Sequence, residues 1–413
     1  MALRLLHTAD WHLGHALYGV DRAYEHERAL AWLLDAIVHE DVDVVVVAGD
    51  VFDAANPPTQ ALETWARFLT GAWERVPHLQ ISVVGGNHDS PARLEVNDPF
   101  LRAMKRLNVI GGVSRRDAEP DLDRLLVPLY DRGGRTVAWL AAVPFLRASE
   151  TGAGTDDAVS EGTRRFYGGV FERARALRQP GQAMVAAGHL YLAGGRGSEL
   201  SERKLVVGNQ SAVPVDVFPA DLAYVALGHL HLAQAVGGRE TVRYSGSLLP
   251  LSLAERAYPH QVVLVDLEGE AALCVRSLRV PRFVEILRVP ERGAAALDDV
   301  LAAIAALPVR GDGPHVERPY LEVEVAVDRP EPALRQRIEA ALEGKEPRLV
   351  RLGVAMAGSG LALGDVEARP IADLAPEEVF RRKYEREYGG APPPEILHAF
   401  LELERALLKE EAA

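Results

Sequence analysis

Residues 42–50 of the chain, Val-Asp-Val-Val-Val-Val-Ala-Gly-Asp, form a short apolar run that ends abruptly in a glycine and an aspartate. A Val-rich run of this length is typical of a strand that is buried on both faces of a sheet. Four further apolar runs, at residues 3–6, 81–84, 183–187 and 224–227, also end abruptly in a polar cluster. The pattern predicts five related strands, each with a polar cluster at its carboxyl end.

Helical patterns lie between these predicted strands. Residues 28–40 and 59–73 both place apolar side chains at helical spacing on one stripe. Strands that alternate with helices predict a layered α/β domain, and ligands of such domains bind beyond the carboxyl ends of the strands. All five polar clusters fall at those ends, so we expect them to meet at one site.

A smaller region begins near Pro281. Apolar alternation and helical spacing there predict strands at 284–289, 320–327 and 349–354 and helices at 294–307 and 332–342. Residues 358–375 lack periodicity, and two helical segments follow, the first with Phe380, Tyr384 and Tyr388 on one face. That aromatic face suits either packing onto its own domain or docking onto a partner. The expected divisions are a main domain at 1–280, a small α+β domain at 281–357, a linker at 358–375 and a helical tail at 376–413.

Composition limits the classes of protein to which the chain can belong. Its 413 residues are 48% hydrophobic and 25% charged, an ordinary globular composition that excludes wholesale disorder. The single cysteine, Cys274, excludes an internal disulfide framework and fits a reducing cytoplasm; its apolar surroundings predict a core position. The amino-terminal apolar run is too short for a signal-peptide core, so we expect a cytoplasmic protein without membrane spans.

The formal net charge is −13, which by itself argues against a nucleic-acid partner, because phosphate binding depends largely on Lys and Arg. Residues 1–270 carry a net charge of −8 and residues 271–413 carry −5, so neither part is a dedicated cationic DNA-binding domain.

The polar clusters nevertheless hold side chains that divalent metal ions prefer. Imidazole combined with carboxylate and amide oxygen suits Mn²⁺, Fe²⁺ or Zn²⁺, whereas an all-oxygen site would favour Mg²⁺ or Ca²⁺. A carboxylate that uses both oxygens can bridge two ions, as two-metal phosphoester hydrolysis requires. The candidate ligands are Asp10, His12, Asp50, Asn87, His189, His229 and His231.

Taken singly, each of these residues is more often a turn residue or a cap than a ligand. Seven of them after five similar strands favour the metal site. Asp89 remains open between bonding the backbone of the Asn87–His88 turn and a role beside the ions. Trp11 is more typical of packing against the sheet than of stacking on a base.

These motifs, Asp10-x-His12, Gly49-Asp50-x-x-Asp53, Gly86-Asn87-His88-Asp89, Gly188-His189 and Gly228-His229-x-His231, resemble the calcineurin-like metallophosphoesterase pattern in order and completeness. Within that superfamily the chain resembles the SbcD-type nuclease subunits of SbcCD complexes, through residues 7–14, 48–53, 86–90, 207–208, 226–231 and 244–247. The resemblance implies an α/β fold: a layered β-sandwich flanked by helices, with a small α+β capping domain and a two-helix tail.

The resemblance also implies roles for individual residues. Asp10, His12, Asp50 and His231 would hold one ion, and Asp50, Asn87, His189 and His229 the second, with Asp50 bridging. His88 would be the non-ligand histidine that stabilises the transition state or protonates the leaving oxygen. The carboxylate of Asp53 would orient that histidine.

The implied function is a Mn²⁺-dependent DNA endo- and exonuclease with a two-metal mechanism, acting on ends, hairpins and single strands in DNA repair, recombination and replication. Mg²⁺, Fe²⁺ and Zn²⁺ remain alternatives for the metal. The implied partners are an SbcC-type SMC-like ATPase, bound by the tail, and a second copy of the chain, bound through helices near 59–73 and 99–106. Alternative functions are a small-molecule or phosphoprotein phosphoesterase with the same metal centre, and a DNA-end scaffold with a degenerate site.

Overall fold

The computed structural model describes residues 3–96, 106–151, 156–197, 212–329, 331 and 333–356, with residues 380, 381, 384, 392, 393, 396, 397 and 400. The chain divides into two compact units, residues 1–355 and 356–413, and each is described by itself. The expected linker at 358–375, Tyr388 and the greater part of the segment expected at 99–106 lie outside the described residues.

The secondary structure of the first unit follows in chain order. The strands are β1 (Leu3–Thr8), β2 (Ala16–Leu17), β3 (Val20–Asp21), β4 (Val44–Ala48), β5 (Gln80–Val84), β6 (Leu107–Ile110), β7 (Arg115–Arg116), β8 (Glu119–Pro120), β9 (Leu126–Tyr130), β10 (Thr136–Ala142), β11 (Ala183–His189), β12 (Tyr224–Gly228), β13 (Gln234–Val236), β14 (Arg239–Tyr244), β15 (Gln261–Glu268), β16 (Ala271–Arg279), β17 (Ile286–Val289), β18 (Ala295–Ala296), β19 (Tyr320–Val327) and β20 (Arg348–Met356). The α-helices are α1 (Ala23–His39), α2 (Thr59–Arg75), α3 (Pro91–Leu94), α4 (Ala148–Thr151), α5 (Asp156–Leu177), α6 (Leu297–Ala305) and α7 (Leu334–Ala341).

Two six-stranded sheets form the main body. The first sheet has the order β16-β15-β1-β4-β5-β6, and the second has the order β13-β14-β12-β11-β10-β9. Neighbouring strands from β1 to β6 in the first sheet are parallel, as are β10, β11, β12 and β14 in the second. Parallel neighbours bring their carboxyl ends to one edge of each sheet, which is where the polar clusters follow the strands.

The two faces of the central strands explain their continuous apolar sequence. In β4, Val44 and Val46 belong to the core between the sheets, whereas Val45 and Val47 belong to the core that α1 and α2 cover. Helix α5 packs its Tyr167 and Phe171 onto the second sheet. The layers are therefore helix, sheet, sheet and helix, which confirms the predicted sandwich.

A separate hydrophobic core lies in residues 289–342, around β19 and helices α6 and α7. Leu321, Val323 and Val325 point into this core, as the alternation in the sequence predicts. The predicted helix at 294–307 begins later, at Leu297, because Ala295 and Ala296 pair with β19. In the second unit, Phe380 stacks on Phe400 with ring centroids 4.3 Å apart.

Two sequence expectations differ from the structure. Cys274 is exposed, not buried, because β16 lies at the edge of the first sheet and turns this apolar segment outwards. The long helix α5 has no counterpart among the predicted elements. Within the described part of the chain, none of the helices combines the length and the apolar character needed to cross a membrane.

Candidate metal centre

The five polar clusters meet at one end of the sandwich. Asp10 and Asp50 follow β1 and β4 of the first sheet, and His189 and His229 lie at the ends of β11 and β12 of the second. Of the seven predicted ligands, Asp10, His12, Asp50, His189 and His231 are buried, and Asn87 and His229 are half-buried. The side chains are therefore withdrawn from bulk water before any ion binds.

Asp50 is central to the cluster. Its Oδ2 lies 3.5 Å from Nε2 of His12 and 3.3 Å from Nε2 of His189, and its Oδ1 accepts a 2.9 Å hydrogen bond from the His88 backbone. Burial alone would raise the pKa of Asp50, but the charge of His189 and its other histidine neighbours outweighs burial and lowers that pKa. An ionised carboxylate thus stands between two imidazoles, as a bridging ligand requires.

The second half of the cluster gathers around Asn87. Its Oδ1 lies 3.0 Å from Nε2 of His189 and 3.0 Å from Nδ1 of His229. Nδ1 of His189 lies 2.9 Å from the carbonyl oxygen of Ala48, to which it can only donate. In a neutral His189 the lone pair is therefore on Nε2, where it faces the oxygens of Asp50 and Asn87. A cation would satisfy all three electron-rich atoms.

The other half comprises Asp10, His12 and His231. Both oxygens of Asp10 lie within 3.2 Å of the His229 backbone nitrogen, which donates to this carboxylate. Nδ1 of His12 is held 3.1 Å from Oδ1 of Asp53, whereas its buried Nε2 has no hydrogen-bond partner in the residues that the structure describes. A buried nitrogen without a partner is costly unless something binds it.

Three groups of side chains bring their ligand atoms within 4.8 Å of one another, which is close enough to share an ion. They are Asp10 with His12 and His231, Asp10 with Asp50 and His189, and His12 with Asp50 and His88. The donor set and the orphaned His12 nitrogen both fit divalent cations. His88, the expected non-ligand, can by this geometry also reach a position shared with His12 and Asp50.

The expected pairing of Asp53 with His88 differs from the structure. The carboxylate of Asp53 contacts His12, and His88 instead places its Nδ1 2.7 Å from the backbone carbonyl oxygen of Asp53. Residue 53 therefore orients both histidines, one through its side chain and one through its backbone. The motif predicts that Asp53 is close to the site, but not which of its oxygens meets which ring.

Asp89 holds the loops together. Its carboxylate accepts hydrogen bonds from the backbone of Gly86 at 2.9 Å, Val51 at 3.2 Å and Phe52 at 3.0 Å. Burial, followed by the charge of Asp50, raises the pKa of Asp89 to about 6. Of the two roles left open for this residue, the structure supports the first: Asp89 ties the loop after β4 to the loop after β5.

One buried carboxylate was missed by the sequence interpretation. Oε1 of Glu255 lies 2.9 Å from Nδ1 of His231, and the Glu255 side chain has no exposed surface. Glu255 belongs to a 3₁₀ turn at Leu253–Ala257, and no motif marks it. Trp11, in contrast, packs as predicted: it is buried, with its ring 5.7 Å from Trp65 and 5.0 Å from Phe68.

The chain is similar in sequence to two described families and to several named proteins. Residues 3–233 match the family described as calcineurin-like phosphoesterase, and residues 282–388 match the type 5 capsule protein repressor C-terminal domain. A Rhodobacter capsulatus protein, named as the SbcD component of the nuclease SbcCD, is 40% identical over 397 residues, which cover 94% of each chain. A protein of the same name from Escherichia coli K12 is 32% identical, over 92% of this chain and 92% of that protein. Another from Bacillus subtilis is 30% identical, over 99% of this chain and 100% of that protein.

Proposed function

The chain belongs to the calcineurin-like phosphoesterases and, within them, to the SbcD-type nuclease subunits, and from that premise we propose that it is a metal-dependent DNA nuclease. It hydrolyses phosphodiester bonds as one subunit of an ATPase–nuclease complex that processes DNA ends. The observation that carries the proposal is the convergence of carboxylate, amide and imidazole ligands from both sheets on Asp50.

Two divalent ions would be held by the predicted ligands. Asp10, His12, Asp50 and His231 would bind one, and Asp50, Asn87, His189 and His229 the other. The mixed nitrogen and oxygen donors favour Mn²⁺ as the native ion. When bound, such ions supply Lewis-acid chemistry: they neutralise charge on the phosphoryl oxygens and lower the pKa of water.

The residues of the chain prepare the site for that chemistry. Asp53 and the carbonyl of Ala48 fix the ring orientations of His12 and His189, so that Nε2 of each faces Asp50. The Asp53 carbonyl holds Nδ1 of His88, which leaves Nε2 as the nitrogen able to meet a substrate. As an imidazolium, with a proton on each ring nitrogen, His88 would give its Nε2 proton to the departing sugar oxygen and become neutral, a task of general acid catalysis.

Replacement of His88 tests the assignment. His88→Ala should lower the rate of DNA cleavage by about 10²–10⁴-fold, the usual contribution of a general acid. Its affinity for Mn²⁺ should stay close to that of the parent, measured by calorimetry. His39→Ala, which changes an exposed histidine at the end of α1, is the matched control. Cleavage at the parental rate would contradict the catalytic role, and lost Mn²⁺ binding would instead make His88 a ligand.

The substrate class has its own test, because the metal centre alone can act on any phosphoester. We expect Mn²⁺-dependent cleavage of linear and hairpin DNA and of bis-p-nitrophenyl phosphate, and little hydrolysis of phosphomonoesters. Strong phosphomonoesterase activity without DNA cleavage would contradict a nuclease and favour the small-molecule or phosphoprotein phosphatase.

The proposal also includes a cytoplasmic location and a homodimer. It divides the chain into a main domain at 1–280, a small domain at 281–357, a linker at 358–375 and a tail at 376–413. The tail would bind the SbcC-type ATPase. Relatives named as components of the SbcCD nuclease support that assignment. Deletion of residues 376–413 should abolish co-purification with the ATPase. Unchanged co-purification would exclude the tail as the binding element.

A further inference from the structure

We propose that Glu255 positions His231 within the metal centre and that Tyr320, beyond the main body, acts on the same histidine through a buried chain of polar contacts. The contacts run from Tyr320 to Glu25, Arg22, the peptide group between Pro250 and Leu251, Glu255 and His231, and we call them the polar chain. The inference rests on the proposed function in one respect: it takes His231 to be a metal ligand.

The first link fixes the tautomer of His231. Oε1 of Glu255 lies 2.9 Å from Nδ1 of His231, so the ring donates its Nδ1 proton to the carboxylate. The lone pair is then on Nε2, the nitrogen that would meet an ion shared with Asp10 and His12. A carboxylate behind a ligating histidine fixes the orientation of the ring and raises its basicity.

The second link is a single peptide group. The N–H of Leu251 donates to Oε2 of Glu255 at 2.8 Å, and the carbonyl of Pro250, in the same peptide unit, accepts from Nη1 of Arg22. Because the peptide unit is planar and rigid, a shift of Arg22 changes the position of the N–H that holds Glu255. Both side chains are buried, so water does not readily replace either contact.

The last links reach the small C-terminal domain. Arg22 meets both oxygens of Glu25, with its Nε at 2.7 Å and its Nη2 at 2.6 Å, and the hydroxyl of Tyr320 donates to Oε2 of Glu25 at 2.6 Å. Tyr320 is 1% exposed and begins β19, the strand around which the C-terminal core is built. The packing of that domain is thereby connected to a side chain of the metal centre.

A second tyrosine contact between the same two parts of the chain serves as a comparison. The hydroxyl of Tyr24 lies 2.9 Å from Oε1 of Glu317 at the surface, outside the polar chain. Tyr24→Phe and Tyr320→Phe each delete one hydroxyl and keep the ring. Only the second removes a contact that leads to His231, so a general loosening of the domain contact would affect both variants.

The experiment measures the binding of Mn²⁺ alone to the full-length chain by calorimetry and electron paramagnetic resonance, with thermal melts to verify folding. Glu255→Gln keeps the shape, but its one oxygen cannot accept from both His231 and Leu251, and we expect one Mn²⁺ site to weaken by about 10–100-fold. Tyr320→Phe should weaken it by roughly 2–10-fold, if the loss of one hydrogen bond is transmitted. Tyr24→Phe should match the parent.

The double variant Glu255→Gln with Tyr320→Phe tests whether the two residues act along one route. If they do, Tyr320→Phe has little further effect once Glu255 is changed, because interacting positions are not additive. Additive losses of Mn²⁺ affinity would overturn the polar chain and leave only the role of Glu255 in positioning His231. Parental Mn²⁺ affinity in Glu255→Gln would overturn that role as well.

Failure of this inference and failure of the proposed function can be told apart. A parent chain that binds Mn²⁺ but does not cleave DNA contradicts the nuclease, while the order of affinities among the variants still supports the polar chain. If the parent cleaves DNA but Tyr320→Phe and Tyr24→Phe have identical Mn²⁺ affinities, the polar chain is contradicted and the proposed nuclease function is not.

Discussion

Four of the seven proposed ligands stand on backbone in the left-handed region, with φ of 53° at Asp10, 46° at His12, 51° at Asp50 and 106° at His229. Such conformations cost on the order of 1–3 kcal/mol each and persist only where the surroundings impose them. Here the loops after β1 and β4 bond each other, with the Asp10 nitrogen 3.0 Å from the Gly49 carbonyl oxygen. The strain turns consecutive ligands inwards from the strand ends.

Close packing around Asp50 leads to the first prediction. A Cβ at Gly86 would lie 2.1 Å from Oδ1 and 2.4 Å from the backbone nitrogen of Asp50, and it could be accommodated only by displacing this residue, the proposed bridging ligand. Gly86→Ala should therefore weaken Mn²⁺ binding at least tenfold and destabilise the fold by about 1–3 kcal/mol. Calorimetry and urea unfolding measure the two effects.

Gly168→Ala is the matched control for that substitution. Gly168 lies within α5, and a Cβ there meets nothing within 4 Å. The change should leave metal binding unaffected and stabilise the chain by about 0.5–1 kcal/mol. If Gly86→Ala behaved like this control, the loops would be looser than the structure indicates.

Protonation of His189 gives a prediction for metal loading. Burial by itself lowers the pKa of His189, but the nearby carboxylate of Asp50 outweighs it and raises the pKa to about 9. Below that pH the metal-free ring carries a proton that it must lose to ligate. Mn²⁺ binding at pH 7.5 should thus release about one proton from this site. Calorimetry in buffers of different ionisation enthalpy measures the release, and His189→Gln should reduce it.

At the scale of elements, the sequence pattern predicts the central strands but not the contacts between residues that are far apart along the chain. The apolar runs predict β1, β4, β5, β11 and β12, because a strand buried on both faces needs an apolar residue at every position. The residues behind the ligands could not be predicted in this way. Asp53 meets His12 across 41 positions, through the pairing of β1 with β4. Glu255 meets His231 across 24 positions, from a turn that connects the second sheet to β15 of the first.

The docking of the sheets also depends on a buried histidine. His7 on β1 places Nδ1 2.9 Å from the Tyr224 hydroxyl and Nε2 3.1 Å from the Leu227 carbonyl oxygen on β12. Burial lowers the pKa of His7 to about 3. Because its folded pKa lies below its unfolded value, the contribution of His7 to stability is complete above pH 6.5 and is lost as the pH falls towards 3.

The corresponding prediction is a change in the pH dependence of unfolding. His7→Gln can keep both hydrogen bonds but cannot titrate. Between pH 6.5 and 4 its free energy of unfolding should therefore fall less steeply than that of the parent, and the two slopes should differ by up to about 1.4 kcal/mol per pH unit. Urea unfolding of the metal-free chain measures the slopes. An equal slope in His7→Gln and in the parent would contradict the assignment.

At the scale of the whole molecule, the net charge of −13 is distributed over both parts of the chain. We therefore expect DNA affinity to come from the metal centre, the proposed dimer and the proposed ATPase partner together, since linked weak contacts can add up to tight binding. Two divalent ions would add about four positive charges where the phosphate must lie.

Removal of the metal ions tests whether the metal centre contributes to DNA affinity. Linear DNA should bind the His88→Ala chain weakly in Mn²⁺, lose affinity between 50 and 200 mM salt, and bind far less after treatment with EDTA. Fluorescence anisotropy of labelled DNA follows all three effects. Equal binding with and without Mn²⁺ would mean that a protein surface, and not the metal centre, attracts the DNA.

The order of the ligands along the chain also matters while the protein is being made. The last proposed ligands, His229 and His231, lie in the loop after β12, and β1 is paired on one side by β15, which ends at Glu268. A ribosome-bound chain that has released fewer than 231 residues lacks part of its ligand set, however well its first sheet has folded. If these residues are its ligands, we expect the nuclease subunit to be inactive through the first half of its synthesis.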